Sequence, residues 1–170
     1  MAEYLLIDGY NVINAWREFA GLREENLEHA RAILIGQVAE YAAFKGYQAT
    51  IVFDAQEVAT EASLTRQGTV DVVYTDEGET ADSWIERKTY DLGRIHAKVF
   101  VVTSDYAEQL HVLGVGAYRV SSREFHEDFK KAKKAIQEKM KQPASGLNRN
   151  EVGNRLPMHV LEHFEKLRRK

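Results

Sequence analysis

Short, continuous apolar runs separated by longer segments of helical periodicity are the feature that most constrains the fold. Such runs lie at Tyr4–Asp8, Ala49–Asp54 and Lys98–Val102, and none of them alternates between apolar and polar residues. Unbroken apolar runs are typical of strands that are covered on both faces of a sheet. Two weaker runs, Val70–Tyr74 and Ala117–Val120, predict further strands.

Helical segments lie between these runs. Asn26 can cap a helix that ends at about Phe44, and Gly46 closes it in the way glycine commonly ends a helix. Thr80 begins another helix, which is predicted to pack through four residues: Trp84, Ile85, Tyr90 and Leu92. Because strands alternate with helices, the sequence predicts an α/β fold with a mostly parallel central sheet and helices on both faces.

The rest of the chain supplies a connection and two more helices. Gln67–Asp71 is interpreted as a polar connection, and a short helix is predicted over Tyr106–Leu113. A long helix is predicted to begin at Ser121 or Ser122 and to end at about Lys141. Its apolar face is formed by Phe125, Phe129, Ala132 and Ile136.

Length and composition indicate one principal domain. The 170 residues, 44% of them hydrophobic, are enough to bury a core. We predict a domain at 1–142, a polar linker at 143–156 and a basic C-terminal helix at 157–170 that packs on or beside the domain. The chain has no cysteine, which excludes disulfides and thiolate metal sites. No segment approaches the roughly 20 apolar residues that cross a bilayer, so we expect a cytoplasmic protein with no membrane partner.

Charge is distributed unevenly along the chain. Residues 130–170 contain 12 Lys and Arg against 4 Asp and Glu, whereas residues 1–129 contain 11 against 22. The net charge of -3 therefore combines an acidic body with a basic tail. Such a tail favours association with nucleic acid, although Lys-rich helices are also common on solvated surfaces.

Acidic residues follow the predicted strands. Asp8, Asp54 and Asp105 each come at or just after the end of a strand, and Glu79 and Asp82 lie at the start of the helix near Thr80. The carboxyl ends of parallel strands meet at one edge of a sheet, so these acids can converge there. Crowded carboxylates repel one another unless a cation is present, and oxygen ligands suit Mg²⁺ or Mn²⁺. The natural substrate of such a site is a phosphodiester or a nucleotide, although each acid alone is also an ordinary cap or turn residue.

Four short motifs surround these acids: Asp8-Gly9-Tyr10-Asn11, Phe53-Asp54-Ala55, Glu79-Thr80-Ala81-Asp82 and Thr103-Ser104-Asp105-Tyr106. Together they closely resemble the NYN domains of the PIN-like nuclease superfamily and, more narrowly, the YacP-type proteins of Gram-positive bacteria. The resemblance extends over nearly the whole chain, including Ser121–Phe125 and the basic C-terminal helices.

The resemblance implies a PIN-like three-layer α/β sandwich and endonuclease activity on single-stranded RNA. It implies that Asp8, Asp82 and Asp105 form the metal site, that Asn11 orients Asp8 or touches the scissile phosphate, and that Ser104 supports Asp105. It also implies cleavage of mRNA in association with the translating ribosome. We interpret Asp54 and Glu79 as outer ligands or as residues that position water.

The basic tail is the predicted RNA-binding surface. Six of its residues are candidates for contacts with the RNA backbone: Lys130, Lys131, Lys133, Lys134, Arg168 and Arg169. Tyr10 and Tyr106, which follow two of the acidic motifs, can stack on unpaired bases or simply pack their turns.

Two other functions are compatible with the sequence alone. The chain could be a non-catalytic module that binds RNA or the ribosome through its basic tail. It could also be a Mg²⁺-dependent phosphatase for small substrates, although Asp8 is followed by Gly9 and Tyr10 rather than by the Asp-x-Asp pattern of those enzymes.

Overall fold

A six-stranded sheet forms the centre of the computed structural model, which describes residues 2–54, 63–103 and 117–141. Its strands follow the order β3-β4-β2-β1-β5-β6, and all neighbours are parallel except β3 and β4. The strands are β1 (Glu3–Asp8), β2 (Gln48–Phe53), β3 (Ser63–Gln67), β4 (Val70–Tyr74), β5 (Lys98–Val102) and β6 (Tyr118–Val120).

Helices cover both faces of this sheet. They are α1 (Gly9–Ala15), a 3-10 helix (Arg17–Phe19), α2 (Leu22–Glu25), α3 (Leu27–Lys45), α4 (Ala81–Arg94) and α5 (Ser122–Lys141). Alternate residues of β1 point to opposite sides, so that Leu5 and Ile7 join the core beneath α1, α3 and α5, whereas Leu6 joins the core beneath α4. The predicted α/β fold with a mostly parallel sheet between helical layers is therefore confirmed.

Helix ends follow the local sequence rules. The Asn26 side chain accepts a hydrogen bond from the His29 N–H at 3.0 Å at the start of α3, and Thr80 does the same for the Ser83 N–H at 3.1 Å at the start of α4. Gly46 ends α3 with a φ of 77°, a left-handed conformation that glycine adopts without steric cost.

The structure corrects three details of the predicted elements. Gln67–Asp71 is not a polar connection, because Gln67 ends β3 and β4 begins at Val70 after a two-residue hairpin loop. Asp8-Gly9, a pair of residues that predicts a turn after the first strand, leads instead directly into helix α1. Tyr90 does not pack in the core, because its side chain is 57% exposed.

Other predictions lie outside the described residues. These are the helix over Tyr106–Leu113, the linker at 143–156 and the C-terminal helix at 157–170. Within the described ranges, no helix is both long and apolar enough to cross a membrane.

A buried polar cluster joins α3 to α5. The Lys45 ammonium, whose side chain is 1% exposed, lies 3.2 Å from the Asp128 carboxylate. The Tyr41 hydroxyl donates a hydrogen bond to the same carboxylate at 2.5 Å. Burial, together with this hydrogen bond, raises the pKa of the Tyr41 phenol well above its usual range, so the hydroxyl keeps its proton and stays a donor.

Candidate active site

The order of the strands places a crevice at the end of β1. The chain passes from β1 through β2 to β4 on one side and then returns to β5 on the other side of β1. Such a reversal is where open α/β sheets bind ligands, at the carboxyl ends of the strands. A cleft of about 340 Å³ opens here, lined by Asp8, Tyr10, Asn11, Asn14, Asp54, Thr80, Ala81 and Asp82.

Asp8 is the most buried acid of this cleft, with 8% of its surface exposed. It is the last residue of β1 and the cap of α1, and its Oδ1 accepts a hydrogen bond from the Asn11 N–H at 3.2 Å. The cap fixes the Asp8 carboxylate at the point where the strand becomes a helix.

Gly9 allows α1 to begin directly beside β2. A Cβ atom at this position would lie 2.3 Å from Cε1 of Phe53, a fully buried ring at the end of β2. Because Phe53 cannot move away without disturbing the core, a side chain at residue 9 would displace α1. The glycine of the Asp-Gly-Tyr-Asn motif therefore lets the start of α1 approach the Phe53 ring at the end of β2.

Two more carboxylates reach the cleft from other elements. Asp54 directly follows β2, and Asp82 lies in the first turn of α4, behind the Thr80 cap. The side chains of Asp54 and Asp82 are half-buried. The helix dipole favours an acid at the position of Asp82, which partly offsets the repulsion among the three carboxylates.

The carboxylates of the cleft interact electrostatically. Burial raises the pKa of Asp8 above its ordinary value of 3.8, and the charge of Asp54 adds to this effect. Hydrogen bonds with the Asn11 backbone and with the side chains of Asp82 and Asn11 act in the opposite direction but do not cancel it. The ionised form of Asp8 is thus destabilised by its surroundings.

This destabilisation predicts that Asp8→Asn stabilises the metal-free protein at neutral pH. Asn caps a helix as well as Asp does, so the variant removes the charge and keeps the hydrogen bond of α1. The penalty on ionised Asp8 is complete above its raised pKa and disappears as the pH falls below 3.8, where the carboxyl is mostly protonated in both folded and unfolded chains. The gain in melting temperature should shrink over the same range.

Thermal melts of both proteins in EDTA, repeated as the pH is lowered from neutral, measure this effect. Asp8→Ala is the matched comparison, since it also loses the cap and should be less stable than Asp8→Asn by about 1 kcal/mol. A gain for Asp8→Asn that does not change with pH would contradict the electrostatic cause.

Comparisons with known proteins agree with this fold. The chain matches the family model for the YacP-like NYN domain over residues 5–169. It belongs to the YacP-like NYN domain family. NYN domains are generally nucleases.

Relatives in this family resemble the chain over nearly its whole length. A protein of Bacillus subtilis (strain 168), called uncharacterized protein YacP, is 36% identical over 167 residues, which are 98% of this chain and 97% of the relative. The crystal structure of Rae1 (YacP) from Bacillus subtilis has a TM-score of 0.72 at 35% identity and covers 98% of this chain and 94% of that one. A tryptophan-to-leucine mutant of the same protein has a TM-score of 0.74 at 32% identity, covering 98% of this chain and 92% of that one.

The structure brings some of the predicted YacP-like site residues together. Asp8, Asn11, Asp54 and Asp82 line one cleft, although they are distant in sequence. Ser104 and Asp105 lie outside the described residues. Within the described ranges, no group of three or more His, Cys, Asp or Glu side chains is arranged to hold a metal ion. The predicted ligand set also includes Asp105, which lies outside those ranges.

Other predicted residues lie away from the cleft lining. The Glu79 carboxylate forms an ion pair with Arg87 at 2.7 Å, and Glu79 is absent from the described cleft lining. Lys130, Lys131, Lys133 and Lys134 are exposed on α5, and Lys130 pairs with Glu127 at 3.0 Å. Arg168 and Arg169 lie outside the described residues.

The cleft also contains residues that sequence reasoning did not select. Asn14 and Thr80 line it, Asn14 from α1 and Thr80 from the start of α4. Asn14 lies three residues after Asn11, a spacing that puts both on one side of a helix. That signal was available in the sequence, but it depends on recognising Gly9–Ala15 as helical.

Proposed function

We propose that this protein is a metal-dependent endoribonuclease that cleaves single-stranded RNA, with mRNA on the translating ribosome as its substrate. The observation that carries the proposal is the convergence of Asp8, Asp54 and Asp82 in one cleft at the carboxyl edge of the sheet. Membership of a family of NYN domains, which are generally nucleases, supports the reaction class.

The donor chemistry of the cleft fits a hard divalent cation. Carboxylate, amide and hydroxyl oxygens line it. Burial, with an added contribution from the charge of Asp54, raises the pKa of Asp8, and a bound cation would stabilise the ionised carboxylate. Asp8 and Asp82, with Asp105 from the segment after β5, would hold Mg²⁺ or Mn²⁺. When bound, the metal would neutralise charge on the phosphate and make water more acidic.

The residues of the chain have separate tasks in this mechanism. Asp8 is held rigidly by its hydrogen bond from Asn11, so its carboxylate keeps one orientation. Asp54 would orient the attacking water and accept a proton at its carboxylate. The side-chain amides of Asn11 and Asn14 can donate hydrogen bonds to the oxygens of the phosphate. In-line attack at phosphorus would leave a 5′-phosphate and a 3′-hydroxyl.

RNA that enters this acidic cleft also needs positive charge elsewhere on the protein to hold its backbone. The four exposed lysines of α5 are suited to contacts with the RNA backbone, as are Arg168 and Arg169. The resemblance to YacP-type proteins is the ground for proposing the ribosome as a partner and the cytoplasm as the location.

The test is incubation of the purified protein with single-stranded RNA and Mn²⁺ or Mg²⁺. We expect cleavage by the wild type and none with EDTA or in Asp105→Asn. If free RNA stays intact, the same proteins are tested on mRNA in translating ribosomes. Intact RNA in both assays, or equal cleavage by Asp105→Asn, would overturn the proposal, and RNA binding without cleavage would identify a binding module.

A further inference from the structure

Two arginines each donate a hydrogen bond to a residue of α1 that lines the cleft. Arg31 of α3 donates a hydrogen bond from Nη1 to the Tyr10 hydroxyl at 3.1 Å. Arg23 of α2 donates one from Nη1 to the Asn14 carbonyl at 2.8 Å. Tyr10 and Asn14 are four residues apart on α1 and both line the cleft, so each guanidinium lies one hydrogen bond away from a lining residue, although neither arginine belongs to the described lining itself.

Neither arginine has an acidic partner in the described part of the chain. The acceptors of Arg23 and Arg31 are a neutral carbonyl and a neutral hydroxyl, and no carboxylate within residues 2–54, 63–103 and 117–141 forms an ion pair with either. Both side chains are nevertheless half-buried. A guanidinium has five N–H donors in a planar fork that matches phosphate oxygens, so each arginine can bind an anion and keep its present contact.

Tyr10 is fixed in place between these groups and the core. Its ring packs against Phe53, with centroids 5.1 Å apart, and Phe53 in turn stacks on Tyr74 at 5.6 Å. The hydroxyl of Tyr10 is held at the other end by Arg31. A preordered aromatic ring beside a cation is the combination that single-stranded nucleic acids use for stacking and backbone contact.

We propose that Tyr10, Arg23 and Arg31 form a nucleotide-binding subsite next to the cleft carboxylates. The arginines bind backbone phosphates adjacent to the bond that is cut, and the Tyr10 ring stacks on an unpaired base. This subsite rests on the proposed function and specifies its substrate, because a base can stack on Tyr10 only when it is not paired in a duplex.

The role of the arginines is tested by measuring the binding of short oligouridine RNA in EDTA. Fluorescence anisotropy gives Kd at several salt concentrations. Arg31→Gln and Arg23→Gln should each raise Kd about tenfold, the usual effect of losing one charge-assisted hydrogen bond. Each should also reduce the slope of log Kd against log salt by about 0.7. Arg66→Gln is the matched control, since Arg66 of β3 also donates to a backbone carbonyl, but its acceptor Gly68 is not part of the described cleft lining, whereas Tyr10 and Asn14 are.

Tyr10 is tested with RNA that contains an abasic position. The wild type should bind abasic RNA about tenfold more weakly than intact RNA, because one stacked base is lost. Tyr10→Leu should bind both RNAs equally, whereas Tyr10→Phe, which keeps the ring, should still distinguish them.

Three results would overturn the subsite. They are arginine variants that match Arg66→Gln in Kd and salt slope, a Tyr10→Leu protein that still distinguishes abasic RNA, and a wild type that does not bind RNA. A further result would be that the arginine variants bind RNA more weakly only because they are less stable, with a lower melting temperature and an unchanged salt slope. That result would assign the arginines a structural role and would also overturn the subsite. The proposed function fails separately, through absence of metal-dependent cleavage.

Discussion

Asp82→Asn is expected to lower the rate of RNA cleavage by at least about a hundredfold, because it removes a carboxylate that interacts with Asp8 inside the cleft. The cap of α4 is the Thr80 hydroxyl, so the helix should form normally in the variant. Single-turnover cleavage in Mn²⁺ or Mg²⁺ measures the effect on the chemical step.

The control for this variant is Asp91→Asn, which removes the same charge from an exposed position of the same helix. It should cleave RNA at the wild-type rate. Titration with Mn²⁺ separates two causes of a loss, since a weakened metal site is partly restored by more metal and a misplaced phosphate is not. Cleavage by Asp82→Asn at the rate of Asp91→Asn would exclude Asp82 from the site.

Asp128→Asn is expected to lower the free energy of unfolding by about 2–3 kcal/mol, because the buried Lys45 ammonium loses the carboxylate that lies 3.2 Å from it. This loss of stability is smaller than that expected for a fully buried ion pair, because the Asp128 side chain is 28% exposed. Asn can still accept the hydrogen bond of Tyr41, so the change in the free energy of unfolding reflects the loss of the negative charge. Urea denaturation measures it.

A neighbouring pair supplies the comparison. Glu127→Gln on the same helix removes an exposed partner of Lys130 and should leave stability nearly unchanged. Adding Lys45→Met to Asp128→Asn should recover part of the loss, because it removes the buried ammonium that has lost its carboxylate at Asp128. A double variant less stable than Asp128→Asn alone would show that Lys45 stabilises α3 in some other way.

Elements with strong local signals were predicted well from the sequence. The cores of β1, β2 and β5 are unbroken apolar runs that are too short for buried helices, and α3 has both an asparagine cap and a terminal glycine. The convergence of Asp8, Asp54 and Asp82 follows from the parallel sheet, because the topology alone brings the ends of the strands together.

Elements that depend on tertiary contacts were missed. Gly9–Ala15 contains Gly, Tyr, two Asn and two β-branched residues, all poor helix formers, and it is helical because Asp8 caps it and Val12 and Ile13 are buried. Ser63–Gln67 is mostly polar and becomes a strand only by pairing with β4.

Among the residues of the candidate site, too, those with a local sequence signal were predicted and those that depend on tertiary contacts were missed. Acids at strand ends form a recognisable pattern, whereas Arg23 and Arg31 are single basic residues on helices and carry no signal in the sequence. Their proximity to the cleft depends on α1, which was itself missed. Glu79 shows the converse, since its motif position suggested the cleft but its carboxylate pairs with Arg87.

The position of β1 also determines when the molecule becomes complete during its synthesis. β1 is made first, yet it lies in the middle of the sheet, with Tyr4 beside Gln48 of β2 and Glu3 beside Lys98 of β5. A growing chain can therefore complete the sheet around β1 only after β5 has left the exit tunnel. Until then β1 has no partner on its β5 side, and a chain truncated before β5 lacks one of the two strands that flank β1.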